Sequence, residues 1–192
     1  MTRIAIIDGH PDPAPERFVH ALAKAYASSA LEAGHEVRRV DVAQMDFPLL
    51  RSAREWEDGP PCATIRRAQE DLIWADHVVL AYPLWLGDVP ALLKGFLEQV
   101  ARPGFAIARS GGTGPSRLLA GRSARIIVTM GMPDLFYRLV YRAHSLKSLE
   151  RNVLGFVGFS PVRHSIVGNV EKSDEHRKKW LRRVAALALE AI

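Results

Sequence analysis

The stretch that decides the fold runs from Ala81 to Val100, AYPLWLGDVPALLKGFLEQV. The apolar run His77–Tyr82 (HVVLAY) leads into it and stops at Pro83. A short loop follows, Leu84-Trp85-Leu86-Gly87. Asp88 is then placed to cap a helix that carries Pro90 near its first turn, where a missing N–H costs little. Strand end, aromatic loop and helix start therefore lie within a few residues of each other. In an open α/β sheet, ligands bind at the carboxyl ends of the strands. Trp85 in such a loop either packs on the sheet edge or walls a flat aromatic ligand, whose edge a loop N–H can reach.

Outward from this unit, strands and helical segments alternate. Arg3–Asp8 (RIAIID) reads as a buried first strand, ended by Gly9-His10-Pro11-Asp12-Pro13. A helix is expected from near Pro15 to about Ala33, with Phe18, Leu22, Ala25, Tyr26 and Ala30 on one apolar face and Gly34 at its end. Glu36–Val42 alternates like a strand at or next to the sheet edge. Residues 43–61 form a long connection whose Phe47, Leu49, Leu50 and Trp56 suit it to cover a partner subunit or one side of an active site.

Cys62–Ala75 reads as the next helix, with Ile65, Ala68, Leu72 and Ile73 on one side; roughly Val89–Ala101 reads as the one after strand three. Residues 103–121 are glycine-rich, the composition of a flexible loop. Arg125–Thr129 is a fourth strand, Leu135–Val157 a helical stretch broken once, and Val162–Val167 a last strand. Ser173 caps a final amphipathic helix to about Ala191, with Trp180, Leu181, Val184, Leu187 and Leu189 among its apolar positions. The expected architecture is one α/β domain over residues 1–192 with a parallel, doubly wound, five-stranded sheet in the order 2-1-3-4-5. Its ligand crevice lies between the carboxyl ends of strands one, three and four.

Composition narrows the function classes. The 192 residues are 48% apolar and 24% charged, ordinary for a globular protein, with a formal net charge of +5. The cluster Arg177-Lys178-Lys179 with Arg182-Arg183 reads as the solvated face of the last helix rather than a nucleic-acid surface. The basic balance suits an anionic ligand such as a dinucleotide phosphate. One cysteine, Cys62, permits no intramolecular disulfide and no cysteine-rich metal site, which suits a reducing cytoplasm. No apolar run reaches membrane-span length, and MTRIAIIDGH meets charged and turn residues too soon for a signal peptide. The histidines do not sit at metal-ligand spacing. No G-x-S-x-G elbow occurs, Gly9-His10 does not open G-x-G-x-x-G, and Gly111-Gly112-Thr113-Gly114 lacks the spacing and lysine of a P-loop.

Three loops end the strands that meet at the crevice. Gly9–Phe18 (GHPDPAPERF) opens a helix, whose free N–H groups and dipole favour an anion; His10 and Arg17 add donors. The alternative is a plain helix entry with a surface arginine. The second loop is Pro83-Leu84-Trp85-Leu86 and the third Thr129-Met130-Gly131-Met132. A methionine in the third can pack against a ring or simply fill the core, and Met132 can narrow the space left for a substrate.

Residues 81–106 resemble the flavin-contacting loop of the NAD(P)H:quinone oxidoreductase family, whose members carry PLxWFGVPAxLKGWxxRV-like sequences and then a PGFAY-like turn, here Arg102-Pro103-Gly104-Phe105-Ala106. The resemblance extends from the first strand to about Phe159. The first loop is similar to the family's HPxxxSFNxALA segment through His10, Phe18 and His20-Ala21-Leu22-Ala23, but Glu16 falls near the hydroxyl residue and Val19 near the asparagine. In the second loop Leu86 replaces a usual aromatic; in the third, TTGG becomes Thr129-Met130-Gly131-Met132. The resemblance implies that His10, Arg17, Phe18, Pro83, Leu84, Trp85, Leu86, Thr129, Met130, Gly131 and Met132 hold the cofactor. It also places Tyr137 and, offset by one residue, His144 near the tyrosine and histidine that sit over the flavin and stabilise charge during hydride transfer. Either can instead be an ordinary half-buried helix residue.

What the resemblance implies is a flavodoxin-like three-layer sandwich binding FAD or FMN. NAD(P)H gives hydride to the flavin and leaves, and a quinone-like acceptor then takes two electrons in the same pocket. It also implies a homodimer with the site at the two-fold interface. Three rivals stand beside this reading. They are a regulatory ancillary subunit of a potassium-efflux system, an azo- or nitro-reductase, and a nucleotide-binding domain that has lost redox function through Glu16, Val19 and Met132.

Overall fold

In the computed structural model, which describes residues 1–109 and 117–191, five strands build one parallel sheet in the order β2-β1-β3-β4-β5. These are β1 (Arg3–Asp8), β2 (Glu36–Asp41), β3 (His77–Pro83), β4 (Ser123–Thr129) and β5 (Val162–Val167). Three of them, β1, β3 and β4, are buried almost throughout, because parallel crossovers cover both faces of the sheet with helices. Alternate residues serve opposite layers. Ala5, Ile7, Val78, Leu80, Ile126 and Val128 face one core; Ile4, Ile6, Val79, Ala81 and Ile127 face the other.

The first core is closed by α3 (Ala63–Trp74) and α4 (Ala91–Val100) through Ile65, Leu72, Leu93 and Phe96. The second is closed by α1 (Phe18–Glu32) and α8 (Asp174–Glu190) through Leu22, Tyr26, Val184 and Ala188. The result is a three-layer sandwich. Ser173 caps α8 as expected, accepting from His176 N at 3.2 Å. Most of that helix's basic cluster is engaged locally: Arg177 pairs with Asp174, Arg182 lies 3.4 Å from Glu175, and Arg183 sits over the Trp180 ring.

Several boundaries move for identifiable reasons. Helix α1 starts at Phe18, not near Pro15, since Arg17 is still extended and the prolines at 13 and 15 bias their predecessors away from helical geometry. Ile73 is exposed rather than packed. The 43–61 connection holds a 3₁₀ turn, Val42–Gln44, and a short helix α2 (Ala53–Asp58). Arg102 pins it, donating to Glu55 O at 2.7 Å, to Gly59 O at 2.5 Å and to the Gln99 side chain. After β4 the chain forms α5 (Asp134–Leu139), α6 (His144–Ser148), a π-helical turn Leu149–Leu154 and α7 (Gly155–Val157). The break falls at Arg142 and Ala143, both left-handed. Gly111–Gly114 lie outside the described residues.

Candidate functional site

The carboxyl ends of β1, β3 and β4 are adjacent, so the sheet order alone gathers the three loops. Backbone bonds tie them together. Gly9 N donates to Ala81 O at 2.7 Å, and Leu84 N donates to Thr129 O at 2.7 Å. The His10 ring meets Trp85 edge-on with centroids 5.9 Å apart, so the first and second loops touch at side-chain level.

The second loop is a two-residue hairpin. Trp85 N donates to Asp88 O at 2.9 Å and Asp88 N to Trp85 O at 3.0 Å. Between them Leu86 (φ 47) and Gly87 (φ 81) both have positive φ, the pattern of a type I′ turn. Glycine takes this conformation freely, whereas a leucine there is strained. The turn holds Trp85 half exposed and Leu86 fully exposed at its tip. Asp88 therefore does not cap α4 as expected. It closes the hairpin, and its carboxylate accepts from Val89 N at 2.7 Å, while the extended Pro90 immediately precedes the helix.

In the first loop, His10 is nearly buried, and Asp12 N donates to its Nδ1 at 3.0 Å. The same Nδ1 lies 3.1 Å from the Asp12 carbonyl, but that carbonyl is also met by His20 Nε2 at 2.9 Å, so the tautomer with Nδ1 accepting and Nε2 carrying the hydrogen is the one that gives both Asp12 backbone groups a partner. Burial, and then the neighbouring His20, push the His10 imidazole below its ordinary range, which keeps it neutral. His20 stands 5.3 Å from His10 between two acceptors, with Nδ1 2.7 Å from Asp8 Oδ2 and Nε2 2.9 Å from Asp12 O. Arg17 pairs with Asp12 at 2.6 Å, not with Glu16, and Asp12 is held below the usual carboxylate range by the Ala14 N–H and by Arg17. A cavity of about 440 Å³ flanks this loop, lined by Pro13, His20, Lys24, Arg39 and Asp41 among others.

The expected donors are partly corrected. The N–H groups of Leu84, Trp85 and Met130 are engaged inside the protein, the last with Val167 O at 2.9 Å, so none of the three can meet a ligand's edge. Among the described residues, those of Gly131 and Met132 remain. Pro83, Thr129 and Met130 are buried, and Leu84 and Met132 pack on the core, so these five support the crevice floor. Trp85, Leu86 and Gly131 are its exposed members.

Tyr137 departs furthest from expectation. Only 1% exposed, it shares a 2.8 Å hydrogen bond between its hydroxyl and Ser145 Oγ, and it accepts from Leu146 N at 3.3 Å. The hydroxyl fastens the α5–α6 turn. His144 is exposed at the start of α6. Two residues without an expected role, Asp8 and His20, meet beside this loop and line the same cavity. Their signal is weak, since a strand-terminal Asp and a helical His twelve residues later are common.

The residues fit a flavin phosphate and ring. There is an exposed Trp face, the Phe18 and Val19 N–H groups at the start of α1, the His10 ring, and the Gly131-Met132 N–H pair for a ring edge. A family model described as flavodoxin-like fold matches residues 2–188. The chain belongs to this family. Its flavodoxin-like sheet is shared with an NAD(P)H:quinone oxidoreductase from Methanothermobacter marburgensis, which superposes with a TM-score of 0.82 at 24% identity over 98% of this chain and 96% of that one. In sequence, the chain is 27% identical to a Haemophilus influenzae protein named an uncharacterized NAD(P)H oxidoreductase, over 97% of this chain and 93% of the relative. It is also 27% identical to an FMN-dependent NADH:quinone oxidoreductase of Nitratidesulfovibrio vulgaris, covering 88% of each. No described helix of this flavodoxin-like chain is long and apolar enough to cross a membrane.

Proposed function

We propose that this chain is an FMN-dependent NAD(P)H:quinone oxidoreductase. One observation carries the reading: the His10–Trp85 contact at the β1/β3 switch point of the sheet, where flavodoxin-like folds hold a mononucleotide. The names of the full-length relatives point the same way. When bound, the flavin accepts hydride from NAD(P)H and passes two electrons to a quinone-like acceptor.

The chain's own residues do the rest. His10 and the first turn of α1 bind the phosphate, and Trp85 with Leu86 walls the ring. The Gly131 and Met132 N–H groups would serve the ring edge, and the buried strand ends would keep the floor dry. His144, exposed at the start of α6 on the segment leaving the third loop, would in this reading balance charge beside the bound ring. Stacking donor and acceptor in turn on one ring face supplies orientation.

The exposed apolar run Leu135, Phe136, Leu139, Val140 and Tyr141 supports a homodimer; a mass measurement finding only monomer at micromolar concentration removes it. The single free cysteine suits a cytoplasmic setting. The deciding experiment titrates the purified chain with FMN, reduces it anaerobically with NADH or NADPH, and reoxidises it with benzoquinone. A chain that takes up no flavin, or whose flavin NAD(P)H leaves oxidised, sinks the assignment. An azo dye and a nitroarene in place of the quinone test the other acceptor classes.

A further inference from the structure

His20 occupies a position that only one protonation state satisfies. Both ring nitrogens face pure acceptors, the Asp8 carboxylate at 2.7 Å and the Asp12 carbonyl at 2.9 Å. A neutral imidazole has one N–H, so one of these contacts would set lone pair against lone pair. The imidazolium donates to both.

The surroundings agree. From β1 comes Asp8, 1% exposed, and from β2 Arg39 and Asp41, the arginine 2.7 Å from Asp41 and 3.5 Å from Asp8. From α1 comes Lys24, lining the same cavity. The loop adds Asp12, paired with Arg17, and the neutral His10. Burial disfavours the charged ring, but the Asp8 and Asp12 hydrogen bonds and the Asp8 and Asp41 charges outweigh it, and the His20 imidazole lies above its ordinary value.

This loop is poor in ordinary phosphate donors. Pro11, Pro13 and Pro15 carry no N–H, and the side chains of Glu16 and Val19 offer neither hydroxyl nor amide. Asp12 links the two histidines: its carbonyl lies 2.9 Å from His20 Nε2 and 3.1 Å from His10 Nδ1, and its N–H faces that same Nδ1 at 3.0 Å, so a His20 that donates to the carbonyl lets His10 Nδ1 accept from the N–H and leaves His10 Nε2–H to the ligand.

We propose that His20 is the positioning residue of the anion site. As an imidazolium bridging Asp8 and the Asp12 carbonyl, it holds the β1–α1 loop in the form that presents His10 Nε2–H to a flavin phosphate. The inference rests on the FMN reading above. Its consequence is a pH step: the loop is locked at neutral pH, and FMN affinity falls as pH rises through the His20 titration. The second ionisation of the phosphate, near pH 6, changes affinity in the opposite sense and on the acid side, so the alkaline fall belongs to the protein.

The test is FMN fluorescence quenching from pH 6 to 9 with the full chain and with His20→Gln, folding being checked by circular dichroism. Side-chain ¹⁵N NMR of the flavin-free wild type is recorded in parallel. The wild type is expected to weaken about tenfold between pH 7 and 9, and His20→Gln to be about tenfold weaker at pH 7 and flat above it, the scale of one charge-assisted hydrogen bond. At pH 7 the NMR spectrum is expected to show His20 protonated on both nitrogens and His10 on Nε2 alone. Should His20→Gln not fold, the wild-type pH step and the NMR spectrum decide. FMN binding that is flat with pH in the wild type, or a neutral His20 at pH 7, overturns this inference alone. No FMN binding at any pH overturns it together with the function.

Discussion

His77 makes a quantitative test of the sheet that carries the site. It opens β3, is fully buried and lies beside Tyr26 with ring centroids 6.4 Å apart. Its Nδ1 meets Ser123 Oγ at 2.8 Å, and its Nε2 has no partner among the described residues. Burial, then the positive charges of Arg125 and Arg163, push it down to about 4. The folded chain therefore keeps His77 neutral, while the unfolded chain binds a proton below about pH 6.5. In that window the unfolded state holds more protons, so stability falls as pH drops from 6.5 towards 4 and is fully present above 6.5. At about 1.4 kcal/mol per pH unit, the full displacement is worth about 3 kcal/mol, of which about 2 kcal/mol is expressed between pH 7.5 and 5. Urea unfolding at those two pH values, for the wild type and His77→Gln, isolates the effect, because every other titrating group is common to both. With a slope of about 2 kcal/mol per molar, the wild-type midpoint should drop about 1 M further than that of the variant. Equal drops would refute the reasoning, since a histidine that ionises in place cannot be held neutral by its surroundings.

Three further outcomes follow from the same structure. Tyr137→Phe should cost about 1–2 kcal/mol in thermal or urea unfolding, through loss of the Ser145 and Leu146 bonds, yet keep NADH-dependent quinone reduction within about threefold. A hundredfold loss of turnover at normal stability would restore Tyr137 to the chemistry. Arg102→Met takes the side-chain donor from the Gly59 carbonyl and leaves the Glu55 carbonyl with only the Gly59 N–H, and should cost about 2–4 kcal/mol, with proteolytic cleavage appearing first within residues 48–61. Trp85→Ala should weaken FMN binding about tenfold by equilibrium titration while leaving the unfolding midpoint unchanged, since the ring is half exposed and packs little of the core.

The sequence by itself determined the sheet. Short apolar runs such as RIAIID and HVVLAY, each followed by a turn and a helical pattern, permit little but a parallel sheet, and five strands suggest the order 2-1-3-4-5 that the fold adopts. It also marked the three loops, because punctuation by Gly and Pro and the strand ends are local signals. It could not tell which strand residues face which core, since β1, β3 and β4 are apolar on both sides. Nor could it assign Tyr137, whose hydroxyl is claimed by Ser145 eight residues later. His20 was equally opaque. Its charge is set by Asp8 at a strand end and a carbonyl in a proline-rich loop, groups brought within 3 Å only when α1 packs back on the sheet. A protonation state is the sum of distances to neighbours, and a linear chain specifies those distances only once it has folded.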